Sequence, residues 1–179
     1  MKFIIFLAVS LLLFSCVNEE EESAPSNAAE VYPDQVSWDA TILITKEAKT
    51  VGLLKAGKIE KFSKQNITLL EDSIKVDFYD ENGKHTSVLT SRGGKVFDSN
   101  QNMLAFGNVV VKSDSGVTLY TDTLKWNNGT QKIVSEVPIM ITTEEGDTLY
   151  GDSFISDPNL RNREIINPRG KSVKSINID

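Results

Sequence analysis

Apolar and polar residues alternate along the chain from Val36 onward. In residues 36–45, with the sequence VSWDATILIT, every second residue is apolar and only Leu43 breaks the order. The same period returns in residues 74–79 and 137–142. A period of two is typical of β-strands that bury one face. No comparable helical period occurs beyond residue 36, so the pattern predicts an all-β domain.

Turn-forming sequences separate the apolar runs. They are DENGK at 80–84, SDSG at 113–116, WNNGT at 126–130, EEGD at 144–147 and NPRGK at 167–171. Asn, Asp, Gly and Pro in such clusters favour tight connections between strands. We therefore expect about ten short strands in one domain of ordinary size.

An internal repeat lies in the second half of the chain. GVTLYTDTLKW from Gly116 matches GDTLYGDSFIS from Gly146, a shift of 30 residues that aligns Asp122 with Asp152. The unit is a β-hairpin in which the apolar positions change parity near the aspartate, so we expect a bend or bulge there, shaped by side-chain hydrogen bonds of Asp122 and Asp152. Stacked, bent hairpins predict a single-domain twisted jelly-roll or open β-roll with unpaired edges at its two ends.

The N-terminus has the features of a secretory signal. Lys2 precedes an apolar run of twelve residues, 3–14, which is too short to span a bilayer because a spanning helix needs about 20 residues. Leu, Phe and Ser then precede Cys16, an order that resembles the bacterial lipobox, in which the cysteine is acylated. The alternative is an unmodified thiol after an ordinary cleaved signal. We expect residues 1–15 to be removed and an acyl chain such as palmitate on Cys16 to hold the protein at a membrane.

Composition and charge define the remaining segments. Residues 16–35 contain four consecutive glutamates and no apolar period, so we expect a flexible acidic linker; in some bacteria such a run instead directs lipoproteins to the outer surface. Residues 36–170 form the predicted β-domain, and 171–179 a C-terminal extension that could add an edge strand. The formal net charge of −6 argues against a nucleic-acid partner.

The chain offers little material for catalysis or metal binding. It contains one cysteine and one histidine, His85, so neither an internal disulfide nor a zinc site of Cys and His can form. A nucleophile, base or metal set cannot be assembled from these residues. We expect no enzyme activity, no metal and no cofactor.

Several segments resemble one known family. VSWDATILI, IKVDFYDENGK, TSVLTSRGGKVFD, LAFGNVVVKSDSGVTLYTDTLKW and GDTLYGDSFISDPNLRNREIINPRG look like LptC, the periplasmic bridge component of the lipopolysaccharide exporter, in a lipoprotein form. The resemblance covers roughly residues 36–170, and GNVVV followed by G-x-x-L-x-T is its most specific part. Two features depart from the family: a lipobox replaces a transmembrane helix, and residues 171–179 extend past the usual end.

The resemblance implies a fold and a function. Members of the family are twisted jelly-rolls whose sheets splay apart around an apolar trough for the acyl chains of lipid A. They receive lipopolysaccharide from the periplasmic domain of an inner-membrane ABC transporter and pass it to the next bridge protein, which they meet edge to edge. The implied location is the periplasmic face of the inner membrane, with no catalytic step.

Candidate contact residues follow from the strand pattern. The inward positions, each open to the alternative of plain core packing, are Ile74, Val76, Phe78, Leu89, Val109, Val111, Leu119, Leu124, Trp126, Val137, Ile139, Ile141, Leu149 and Phe154. The candidate partner edges contain Val36, Trp38 and Ile42 at the N-terminal end and Ile165 and Ile176 at the C-terminal end. A lipid-anchored envelope binding or structural module with a filled β-sandwich core remains the alternative, and the shape of the interior distinguishes the two.

Overall fold

The computed structural model describes residues 31–171. The described residues from Tyr32 onward belong to one compact unit. The predicted signal peptide, Cys16, most of the acidic linker and Ile176 lie outside the described residues. Within the described part the chain is all-β, as predicted, and fourteen strands join into one antiparallel sheet.

The strands outnumber the ten or so that the turn spacing predicted. Their bounds are β1 (Gln35–Lys46), β2 (Lys49–Phe62), β3 (Ile67–Glu71), β4 (Ile74–Tyr79), β5 (His85–Ser91), β6 (Gly93–Phe97), β7 (Asn102–Ser113), β8 (Thr118–Asn127), β9 (Lys132–Ser135), β10 (Ile139–Thr142), β11 (Thr148–Gly151), β12 (Ser153–Ser156), β13 (Arg163–Ile166) and β14 (Arg169–Lys171). The excess arises because bends divide several extended runs into two short strands, for example β11 and β12.

The sheet is folded along its length into two halves. Half-sheet A contains β4, β5, β10, β11 and β14, and half-sheet B contains β3, β6, β9, β12 and β13; the long strands β1, β2, β7 and β8 run through both. In each half the neighbours follow chain order, but several of them are not consecutive strands, because the chain passes through the other half between them. Buried residues of both halves form one core between them.

The boundary along which the sheet bends between half-sheets A and B, here called the fold line, passes through residues suited to sharp bends. On β7 the bulge between Phe106 and Val109 contains Gly107 and Asn108, both with positive φ, and it lies opposite Asp122 of β8. Asp152 separates β11 from β12, and its N–H donates to the carbonyl of Ile166. The bends predicted near the two repeated aspartates are therefore confirmed.

The first strand corrects one prediction from the sequence. Asp39 has a φ of 48°, which an alternating strand does not accommodate, and it is left out of the ladder between the pairs Trp38–Lys58 and Ala40–Ala56. Trp38 lies opposite Lys58, whereas Ile42 lies opposite the buried Leu54. Since directly opposed residues share a face, Trp38 points outward and Ile42 inward, so the single apolar face predicted for residues 36–45 is wrong.

Candidate functional site

The inner surface of the folded sheet is the candidate site. Its buried apolar residues are Leu54, Ala56, Ile59, Leu70, Ile74, Val76, Leu89, Val109, Val111, Val117, Leu119, Leu124, Ile133, Ile139, Ile141, Phe154 and Leu160. They come from both half-sheets because each strand turns alternate side chains to the same side. The result is one continuous apolar interior.

Most of the sequence-predicted contact residues lie in this interior. Phe78, Trp126 and Leu149 are half-buried and pack against the core. Val137 is the exception, because it lies in a bend before β10 and outside the core cluster. The other predicted residues are buried: Ile74, Val76, Leu89, Val109, Val111, Leu119, Leu124, Ile139, Ile141 and Phe154.

Sequence reasoning missed part of the same surface. Leu54 and Ile59 of β2 and Leu70 of β3 are buried. The alternation in KTVGLLKAGKIEKF is present, but Gly57 at the fold line shifts its parity, so no single face stands out in the sequence. Leu160 lies in a connection without any period, so no sequence pattern marked it.

Burial differs between the two ends of the interior. Leu119, Phe154 and Leu160 are 0% exposed, so side chains fill the interior around them. At the other end Ile42, on the inner face of β1, is 42% exposed. Among the described strands β1 pairs with β2 alone, so it forms the edge of the sheet at this end. The apolar interior therefore opens at the N-terminal edge.

The N-terminal edge also carries apolar side chains on its outer face. Trp38 is 68% exposed, and Val36 on the same face is half-buried. Opposite Trp38, Lys58 forms ion pairs with Glu60 at 2.6 Å and Glu71 at 3.3 Å, and the hydrogen bond with Glu60 raises the pKa of Lys58. Exposed apolar residues along the edge strand of a sheet favour pairing with another chain.

The C-terminal edge is built from β13 and β14, each of which has one neighbour among the described strands. Ile165 is half-buried and packs against the core, so it stabilises the edge from inside. Asp152 accepts hydrogen bonds from Asn167 at 2.9 Å and Arg169 at 2.7 Å. These two bonds lower the pKa of Asp152. Asp152 thus stabilises the bend between β13 and β14 through its side chain, in agreement with the turn-shaping role predicted for it.

A groove of about 540 Å³ lies beside the fold line on the outer face of half-sheet A. Tyr120 and Tyr150, the repeated tyrosines, line it together with Met140 and Asp122. Tyr120 and Tyr150 each lie opposite Met140 of β10, so the three side chains form a ladder across neighbouring strands. This groove is separate from the apolar interior.

Two comparisons find relatives of the chain. The family described as "Lipopolysaccharide-assembly, LptC-related" matches residues 3–149, which is more than half of the sequence. Among solved structures, the fold is similar to LptH of Pseudomonas aeruginosa, described as the LptA homologous periplasmic component of the conserved lipopolysaccharide transport device. That match has a TM-score of 0.51 and 15% identity, and it covers 70% of this chain and 95% of LptH. The identity is low, so the likeness concerns the fold.

Curated protein sequences contain no significant match to the chain. Between residues 31 and 171 there is no helix long and apolar enough to cross a membrane.

Proposed function

Because the chain belongs to the LptC-related lipopolysaccharide-assembly family, we propose that it is a membrane-anchored periplasmic protein of lipopolysaccharide export. It receives lipopolysaccharide from an inner-membrane ABC transporter and passes it to the next bridge protein toward the outer membrane. The observation that carries this proposal is the apolar interior, which both half-sheets line and which opens at β1.

The interior suits the acyl part of the lipid. Lipid A has several long apolar chains, and exposing them to water is unfavourable in proportion to their area. An interior lined by branched and aromatic side chains from two half-sheets offers those chains an apolar environment while the sugars remain in water. Since side chains fill much of the interior, acyl chains can enter only if the half-sheets move apart or a side chain leaves.

The two edges suit contacts with neighbouring domains of the exporter. Within residues 31–171 no other strand pairs with the outer side of β1, and none pairs with the outer sides of β13 and β14 at the other end. Addition of a strand to such an edge uses free backbone N–H and C=O groups. In the proposed arrangement the transporter's periplasmic domain meets β1, and the next bridge protein meets the C-terminal edge.

Acylation of Cys16 is the proposed anchor. Cys16→Ser is expected to abolish labelling with a palmitate analogue and to move the protein from the membrane fraction, since each buried methylene contributes about 0.8 kcal/mol to attachment. Ser15→Ala keeps a small residue before the cysteine and serves as the control that should still be labelled. Equal labelling of wild type and Cys16→Ser would rule out this anchor.

Crosslinking in cells tests the lipid path. A photoreactive residue at Trp126, on the inner face opposite the buried Ile133, is expected to form a lipopolysaccharide adduct under ultraviolet light. The same residue at Tyr150, on the outer face and 47% exposed, is the matched control and should form none. Adducts at neither position, or only at Tyr150, would contradict the proposed path.

One observation favours a second function. Leu119 and Phe154 are completely buried, as expected for an envelope binding or structural module with a filled sandwich core. Such a module would present only its edges and outer faces to partners. It predicts no adduct at Trp126 and retained binding of protein partners, so the same experiment separates the two functions.

A further inference from the structure

The connection between β12 and β13, residues 157–162, crosses from one half-sheet to the other. Both strands belong to half-sheet B, yet the loop reaches half-sheet A. The Ser87 hydroxyl on β5 donates to the Pro158 carbonyl at 2.9 Å, and the Ser113 hydroxyl on β7 donates to the Asn159 carbonyl at 2.9 Å. We call residues 157–162 the cap loop, because it bridges the two half-sheets at the side away from the fold line.

The cap loop places one apolar side chain inside the protein. Leu160 is 0% exposed and belongs to the same core as the residues of both half-sheets. It holds a φ of 60°, which is uncommon for a leucine and costs free energy. Strain of this kind persists where surrounding contacts enforce it, and it is frequent at ligand clamps and switches.

Asp157 maintains the loop conformation. Its carboxylate accepts from the backbone N–H of Arg161 at 2.9 Å and from the side-chain amide of Asn162 at 2.7 Å. These bonds lie on the exposed side of the loop, and the same carboxylate also accepts from the hydroxyl of the buried Ser156 at 3.4 Å. The loop is therefore held by polar contacts on both sides of Leu160.

The two serines belong to a set of buried serines that also contains Ser91, Ser135 and Ser156. Ser87 is 0% exposed and Ser113 is 3% exposed, and both alternate along their strands with the core residues Leu89 and Val111. A buried hydroxyl needs a partner, and the loop carbonyls supply it. If the loop moved away, the Ser87 hydroxyl would require another acceptor at the same place. The Ser113 hydroxyl would keep the Ser115 hydroxyl at 2.9 Å and the Thr86 carbonyl at 3.4 Å and could turn from these to an incoming carbonyl.

We propose that the cap loop occupies the binding site of a fatty acyl group of the transported lipid, which we call the seat. Leu160 takes the place of the acyl chain, and the Pro158 and Asn159 carbonyls take the place of ester or amide carbonyls. When the loop is displaced, the hydroxyls of Ser87 and Ser113 donate to the carbonyls of the incoming acyl groups. This inference rests on the proposed function and adds to it the seat, its two donors and the chemical class of ligand that it recognises.

A loop that competes with the lipid lowers its apparent affinity. The apparent affinity equals the intrinsic affinity multiplied by the fraction of molecules in which the seat is free. Leu160→Ala shortens the competing side chain, and Asp157→Ala loosens the loop from its exposed side. Each variant is expected to bind lipopolysaccharide roughly three- to tenfold more tightly than the wild type. Leu70→Ala, a matched change at a buried position outside the loop, is expected to lower the melting temperature without tighter binding.

The hydroxyls are tested with a pair of probes. Purified full-length protein is titrated with a fluorescent diacyl lipid and with a lipid of equal chain length in which ether links replace the ester links. The wild type should prefer the ester lipid, since only its carbonyls accept hydrogen bonds. Ser87→Ala combined with Ser113→Ala is expected to reduce this preference by about three- to tenfold, even if overall binding rises because the loop is loosened.

The outcomes decide the proposal. If Leu160→Ala does not fold, the Asp157→Ala result decides whether the loop competes. Unchanged lipopolysaccharide affinity in a folded loop variant would overturn the competition, and an unchanged ester-to-ether ratio in the double serine variant would overturn the role of the hydroxyls. Failure of the proposed function is distinct: the wild type would bind neither lipopolysaccharide nor the ester lipid.

Discussion

Phe154→Asp is expected to leave the protein unfolded at 25 °C. Phe154 lies on β12, is 0% exposed and is opposed by Ser135 and Ile165 on the two neighbouring strands. Loss of the ring alone costs about 3–5 kcal/mol, and an unpaired buried polar group adds about 2 kcal/mol or more. Together these costs approach the whole stability of a typical domain, which is about 5–15 kcal/mol.

Thermal denaturation followed by circular dichroism measures this effect. Tyr150→Asp introduces the same charge on the outer face of the adjacent β11, at a side chain that is 47% exposed, and it should retain a cooperative transition. A folded Phe154→Asp protein that has lost only lipopolysaccharide binding would show that water reaches this position. That result would favour an open trough over the packed interior.

Ile42→Asp is expected to reduce lipopolysaccharide transfer at the N-terminal edge by tenfold or more while the protein stays folded. Ile42 lies on the inner face of the edge strand and is already 42% exposed, so the aspartate remains hydrated. An acyl chain that passes this residue would meet a charge. Loss of one apolar contact together with desolvation of the carboxylate is expected to cost at least about 1.4 kcal/mol, which corresponds to a factor of ten.

The adjacent Thr41 supplies the control for this variant. Thr41→Asp places the same charge on the same strand, but on the outer face opposite Lys55. Photocrosslinked lipopolysaccharide and co-purified transporter are measured for both variants. Equal losses in both would mean that the edge acts through docking or charge, and unchanged transfer in Ile42→Asp would mean that the lipid does not pass this end.

The opposite edge provides the reciprocal comparison. Proline cannot donate a backbone hydrogen bond, so Glu164→Pro on β13 is expected to weaken co-purification of the next bridge protein and to leave transporter contact in place. Glu164 is exposed, whereas Ile165 packs against the core, so the exposed residue separates docking from folding more clearly. Retention of the bridge protein at wild-type levels would reverse the proposed orientation of the two edges.

The sequence by itself determined the strand content, the bends and most of the interior. Alternation identified Ile74, Val76, Ile139 and Ile141 as residues of one face, because the period of a strand is local and requires no knowledge of its neighbours. The repeat around Asp122 located a bend for the same reason: the change of parity is visible within one hairpin. The all-β fold follows from such local signals.

Only the tertiary structure decided which face is inner when a bend intervenes. At Asp39 a left-handed residue reverses the faces of β1, so Trp38 and Ile42 point to opposite sides although their spacing predicts the same side. Alternation of apolar and polar residues shows which positions share a face only while the strand stays extended. It contains no information about a change of backbone conformation within the strand. The same limitation concealed the inner residues of β2 beyond Gly57.

The burial of Leu160 was likewise decided by tertiary contacts. Its loop has no period, and the residues that hold it, Ser87 and Ser113, are 71 residues from Pro158 and 46 residues from Asn159 respectively. Serines between apolar strand residues read locally as ordinary polar substitutions. Only the folding of half-sheet B onto half-sheet A brings their hydroxyls to the loop carbonyls, and this distance in sequence is why no local pattern could reveal the contact.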